Sequence, residues 1–301
     1  MNLKARLQAG IAFGSADYTE LDSIMLRKVS WSWPAFPTAS PAESGWHHAW
    51  TGAWTGAWTG SGDESLTEAG EGAAGLGLSG LSERSVVALV GLAFEARIAA
   101  GPGVLVICRG GSRETAELVQ IALRAGCRSI ISFGVAGGLA PDLVPGDCVV
   151  ASAIIDHPAL RPTDPLWSRK LTEMIPDARH GPIVGVNAVI SNPADKRRLR
   201  ALTGAVAVDM ESHLVARLAA SHGLAFTAVR VVIDPADRAV PHAALLAMAP
   251  GGSTDFSSML WDILARPSQL SLLVRLAADA YAARTALVRL RRALGPGFSS
   301  E

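Results

Sequence analysis

Residues 129 to 139 read Ser129-Ile-Ile-Ser-Phe133-Gly134-Val-Ala-Gly-Gly138-Leu139. The first five form a short, nearly unbroken apolar run, the mark of a strand buried on both faces of a sheet. Three glycines fall within the next five residues. Such a segment lets the backbone pass close to a ligand and present its amides, although a plain tight turn uses the same residues.

The same kind of run recurs on either side. Upstream, Ser85 to Val90 is almost wholly apolar and is closed by Gly91. Phe94 to Ala100 carries helix formers, Val104 to Cys108 predicts a second strand, and Ser112 as N-cap opens a helix from Glu114 to Ala125 that stops at Gly126. Downstream, Pro145-Gly146-Asp147 turns into a strand over Cys148 to Ile154, with further strands expected over Ile183 to Ile190, Val206 to Val208 and Ala225 to Ile233. Ser212 to Ser221 reads as a helix ended by Gly223, and a long helix is expected from Ser268 to Leu294. Strands and helices alternate. The expected fold is therefore α/β: one three-layer domain whose mixed, mostly parallel central sheet is flanked by helices. Ligands of such sheets sit beyond the carboxyl ends of the strands, which places the chemistry in the loops that follow them.

Residues 1–83 differ from 84–301. Six of the eight tryptophans fall there, and residues 49–60 repeat Ala-Trp-Thr-Gly three times. No apolar period survives, so the expectation is a disordered, low-complexity leader ahead of a catalytic domain over 84–301. Gly75, Gly77 and Gly80 spell G-x-G-x-x-G, but they precede the first strand, where a dinucleotide fingerprint has no mechanism.

The totals narrow the function. Apolar residues make up 49% and charged residues 18%, and the formal net charge is zero, so no overall field draws the chain to nucleic acid. The three cysteines, Cys108, Cys127 and Cys148, form no C-x-x-C pair and read as small core hydrophobes in a cytoplasmic protein. No metal motif, serine-hydrolase elbow or P-loop occurs, so no metal or cofactor is expected.

Two further strand ends carry acids. Val208-Asp209-Met210-Glu211-Ser212 delivers two carboxylates at a helix start. Capping accounts for acids there; so does accepting hydrogen bonds from a vicinal diol, with Met210 as a soft surface for a sugar. Ile233-Asp234-Pro235 ends the last strand, where Asp234 is either a turn former or a general acid whose protonated form burial favours.

Taken together and in this order, Gly134-Val-Ala-Gly-Gly-Leu139 with Gly146-Asp147, Asp209-Met210-Glu211 and Ile233-Asp234 resemble the purine nucleoside phosphorylase and methylthioadenosine nucleosidase superfamily over residues 85 to 290. The resemblance implies cleavage of an N-glycosidic bond. Glu211 would bind the ribose hydroxyls, Met210 pack on the sugar and Asp234 protonate the purine at N7. Ala136, Gly137, Val189 and Ile190 would line the base. Val135 stands where relatives place Ser or Thr, Ser132 occupies a phosphate-site position, and Ile233 replaces a Ser beside the acid. Glu95 lies where phosphorolytic relatives put Arg, which makes it the candidate activator of water. Arg97, Arg109 and Arg113 could instead rebuild a site for phosphate as co-substrate, so the nucleophile stays open. Asp234→Asn is expected to cost orders of magnitude in turnover with little loss of stability. Relatives commonly form homo-oligomers.

Gly91-Leu-Ala-Phe-Glu-Ala-Arg-Ile98 and the tail Ala265 to Leu270 are similar to the bacterial hopanoid-associated phosphorylases, which implies adenine release from adenosylhopane. Six arginines and one acid, Asp279, between Arg266 and Arg292 suit a basic helix resting on lipid headgroups at the inner membrane. An ordinary helix packed on the sheet with a solvated arginine face is the stronger reading of the same pattern. The alternatives are a methylthioadenosine/adenosylhomocysteine-type nucleosidase, a general purine nucleoside phosphorylase, and a non-catalytic nucleotide- or lipid-binding protein. A binder would have no use for an acid at N7.

Overall fold

The apolar runs become strands buried on both faces, because helices lie against each side of the sheet. The computed structural model describes residues 85–108, 112–240 and 270–300. The expected leader, the glycine decoy at 75–80 and the tail at 265–269 lie outside them. Along the chain come β1 (Val86–Val90), α1 (Ala93–Ala99), β2 (Val104–Cys108), α2 (Ser112–Arg124), β3 (Ser129–Gly138), β4 (Cys148–Asp156) and β5 (Ala159–Pro162). There follow α3 (Pro165–Met174), β6 (Arg179–Gly185), α4 (Pro193–Thr203), β7 (Ala207–Asp209), α5 (Ser212–His222), β8 (Ala225–Asp234) and α6 (Leu270–Ala293).

Alternation along β1 shows the layers. Val87 and Leu89 face a core shared with Val119 and Ala122 of α2 and Val215 and Ala219 of α5. Val86, Ala88 and Val90 face another, shared with Ala96 of α1, Leu171 of α3 and Leu287 and Leu290 of α6. The expected three-layer α/β arrangement is what forms.

The sheet is mixed. β1 pairs in parallel with β2 and β3, β3 with β8, β4 with β6, and β6 with β7. β3–β7, β4–β5 and β4–β8 are antiparallel. Following β3 to β8, β4, β6, β7 and back to β3 closes a ring of strands, with β1, β2 and β5 outside it.

Several boundaries differ from expectation. The glycine-rich segment continues β3 to Gly138 instead of forming a loop, because β8 pairs with it along its length. β6 ends at Gly185, so Val189 and Ile190 lie in the irregular chain beyond it. α2 is described from Ser112 onward. β5, α3 and α4 are additional elements. Both helices open on an Asx-Pro pair: Asp164 accepts from Trp167 N at 2.8 Å and Asn192 from Ala194 N at 2.8 Å, with proline in the first turn. Cys127 is buried as expected, but Cys108 is exposed, since β2 is an edge strand.

The second half of α6 is a core element. Ala283, Leu287 and Leu290 are buried, and Arg291 donates to Ala99 O at 2.9 Å and stacks 4.5 Å from the Phe298 ring centre. That is the sheet-packed helix, although Val274 and Tyr281 of its first half stay exposed. Among the described residues no helix is long and apolar enough to cross a membrane.

Candidate active site

β1, β3 and β8 run parallel, so their carboxyl ends share one side of the sheet. β7 arrives antiparallel, with Val208 opposite Gly137. Its continuation therefore carries Asp209 to Ser212 back along β3 toward Ser132. That geometry brings three separated acids to the neighbouring ends of β1 and β3.

Each acid occupies the space of a missing side chain. A Cβ on Gly134 would lie 2.4 Å from Glu95 Oε1. One on Gly91 would lie 2.8 Å from Glu211 Cδ, and one on Gly137 would lie 3.3 Å from Asp234 Oδ1. Real Cβ atoms do not approach so closely at the first two positions. The glycines thus serve the carboxylates more than a turn, and Gly134 also adopts φ 155°, where a side chain is strained.

Arg230, in the middle of β8, is fully buried and binds the acids together. Its Nε lies 2.6 Å from Asp209 Oδ2, a charge contact whose angle falls short of a hydrogen bond. One terminal nitrogen donates to Ser132 Oγ at 2.6 Å and to Ser212 Oγ at 3.2 Å, and lies 3.6 Å from Glu211 Oε2. Ser132 is thereby committed to arginine. The two acids of Asp209-Met210-Glu211 separate in role. Asp209 accepts from Ser212 N at 3.1 Å and so caps α5, whereas Glu211 stands at the N-cap position without making a cap bond. Helix capping accounts for Asp209 but not for Glu211, whose Oε2 faces Arg230 at 3.6 Å.

Glu95 is almost completely buried and accepts from Gly91 N at 2.9 Å, Leu92 N at 2.8 Å and Val135 N at 2.7 Å. A carboxylate has about four acceptor sites, so roughly one remains. Burial pushes Glu95 up to about 7, against Arg230 and the backbone donors, with Glu211 adding to the rise. It is half ionised near neutrality, where a general base works best. The folded state holds this proton more tightly than the unfolded chain, whose value is 4.5. The contribution to stability is therefore complete below 4.5 and is lost as pH rises toward 7, about 3 kcal/mol in all. Glu95→Gln should remove that slope. Urea midpoints of wild type and variant, compared between pH 4.5 and 8, should converge or cross as pH rises; a constant difference would refute the shift.

Asp234 closes β8. Burial raises its affinity for a proton, and Lys196 of α4 opposes that rise. Lys196 is fully buried and donates to Asp234 Oδ2, to Pro235 O at 2.8 Å and to Arg238 O at 3.2 Å. Like Arg230, it is a site residue missing from the sequence-based reading. The only signal for it is a lysine in the first turn of a helix, where the dipole disfavours a cation.

The other predicted residues divide. Ala136 is buried beneath the strand end, Met210 packs partly buried beside Val208 and Ile190, and Val189 is half-buried beyond β6. His213 is buried against Gly185, with Nε2 3.3 Å from Asn187 Oδ1. Arg97 is exposed in the last turn of α1, two residues after Glu95. The side chains of Arg109 and Arg113 lie outside the described residues. Among the described residues no cluster of ligands could hold a metal ion.

The sequence model of the Phosphorylase superfamily matches residues 82–265. The chain is 26% identical over 157 residues to the 5'-methylthioadenosine/S-adenosylhomocysteine nucleosidases of Mycobacterium bovis and Mycobacterium tuberculosis, covering 38% of this chain. It spans 62% of the length of those curated relatives. A solved Helicobacter pylori methylthioadenosine nucleosidase mutant with 5'-methylthioadenosine in its active site is 15% identical, with TM-score 0.48 over 68% of this chain and 97% of that one. The futalosine hydrolase of the same organism is 16% identical, with TM-score 0.48 over 69% and 97%.

Proposed function

The chain belongs to the Phosphorylase superfamily, and from that premise we propose that it hydrolyses the N-glycosidic bond of an adenine nucleoside of the methylthioadenosine or adenosylhomocysteine type. The observation that carries the reading is the alignment of Glu95 and Glu211 beside Gly134 and Gly91 with Asp234 beside Gly137. Gly134 and Gly137 are three residues apart on one strand, roughly 10 Å. That is about the span of a ribosyl purine with a hydrogen bond at each end.

Asp234 gives its proton to the base as the C1'–N9 electron pair moves onto the ring, which neutralises the leaving group. Glu211 accepts from the ribose hydroxyls and offsets the positive charge growing at C1'. Glu95 takes the proton of the water whose oxygen bonds to C1'. Water is favoured over phosphate because Arg230 and Ser132 are spent on acids and on each other, and Glu95 would repel an anion. The curated relatives are nucleosidases, which supports the same choice. A lipid-linked adenosine has only the resemblance of the opening and tail segments behind it.

The test is base release from methylthioadenosine, adenosylhomocysteine and adenosylhopane, each with and without phosphate, with the sugar identified by mass. A free reducing sugar at a phosphate-independent rate is expected, and a sugar 1-phosphate would remove Glu95 from its role. Glu211→Gln should lower kcat/KM roughly 10–150-fold, the loss of hydrogen bonds to a charged group. A change confined to KM would mean that the charge on Glu211 does not act in bond breaking.

A further inference from the structure

Lys196 is a costly residue in this position. It sits in the first turn of α4, where the helix dipole opposes a cation, and it is completely removed from water. No packing need explains a buried ammonium. Its three donors meet three oxygens: Asp234 Oδ2, Pro235 O and Arg238 O. All three belong to the segment that begins with the acid. Lys196 therefore grips one oxygen of Asp234 and the two carbonyls that fix where the carboxyl group hangs.

We propose that Lys196 is the positioning residue of the proton donor, holding Oδ2 so that Oδ1 carries the proton to the departing base and balancing the negative charge left on Asp234 once that proton has moved. This rests on the proposed function. Proton balance is simple: the proton leaves Oδ1 for the base, the O–H electron pair stays on the carboxylate, and Lys196 keeps its own protons. Without a counter-charge a desolvated carboxyl group is too weak an acid to give up its proton. Lys196 restores acid strength while burial keeps water away. The charged groups facing Asp234 are Lys196 from α4 and Asp279 from α6, the latter shared with Arg238. Asp279 raises proton affinity and Lys196 lowers it, and the closer contact belongs to Lys196.

The experiment is the pH profile of base release by the full chain and by Lys196→Met, an isostere without charge. The plateau of kcat/KM should fall roughly 10–150-fold, and the basic limb should move to higher pH, because Asp234 keeps its proton longer. A lower plateau with the limb unmoved would reduce Lys196 to a loop anchor and overturn the proposal, as would an unchanged profile. The carboxyl carbon of Asp234, observed by carbon-13 NMR in both proteins and assigned with Asp234→Asn, should titrate at higher pH in Lys196→Met. This readout needs no turnover. If wild type releases no base, the proposed function fails, while the NMR shift still decides whether Lys196 governs the Asp234 proton. If Lys196→Met does not fold, the ammonium nitrogen-15 signal of Lys196 in wild type is compared with that in Asp234→Asn. An unshifted signal overturns the proposal.

Discussion

Asp234→Asn is expected to slow base release by roughly 10²–10⁴-fold, the usual worth of a general acid. Asparagine keeps the size of the side chain and can still accept from Lys196, but it has no proton to give. The structure changes the other half of the expectation. Read from sequence, this substitution should leave stability nearly untouched. In the fold, Asp234 is the counter-ion of a lysine with no access to water. Asparagine cannot take the charge that compensates this ammonium when Asp234 is ionised, at a cost of up to about 3–5 kcal/mol. The variant should therefore unfold at clearly lower urea and still fall short in rate per folded molecule. Urea titration together with chromatographic measurement of released adenine separates the two effects. Adenine release near the wild-type rate would end the assignment of Asp234 as acid.

Arg230→Met should be the most damaging single change for the fold. One guanidinium neutralises Asp209, approaches Glu211 and lowers the proton affinity of Glu95. Without it, the folded state holds the proton on Glu95 still more tightly than the unfolded chain does. The loss should then be about 3–5 kcal/mol and should grow with pH. Urea unfolding at pH 5 and pH 8 measures both predictions. A penalty equal at the two values would show that Arg230 acts by packing alone. Glycosidic cleavage should fall with it, since Glu211 loses the charge that faces it across 3.6 Å.

The sequence was most legible where burial is symmetric. Strands covered on both faces are unbroken apolar runs, so β1, β2, β8 and the start of β3 could be found nearly to the residue. Glu211 and Asp234 were singled out because they follow such runs. What could not be read was pairing. That Gly134 to Gly138 continue a strand depends on β8 lying alongside, and that Arg230 faces three acids depends on the register Gly134 to Arg230. An arginine inside an apolar run gives no hint of its partners. Lys196 was hidden for the opposite reason: in the charged stretch Asp195-Lys-Arg-Arg198 it looks like any solvated helix face, and only tertiary packing buries it.

The closed circuit of strands has a consequence for how this site can vary. A strand in an open sheet can slip against one neighbour and leave the rest in place. β8 is bonded to β3 on one side and to β4 on the other, and the circuit returns through β6 and β7 to β3. A one-residue slip of β8 would have to be matched around the whole hoop. The register that sets both Val208 and Asp234 opposite Gly137 is thus held from both sides. Changes of length outside the hoop, at the β2 edge and around β5, leave the circuit unbroken. Under the proposed function, changing which nucleoside fits is then a matter of what those outer segments lay over strand ends whose register is fixed.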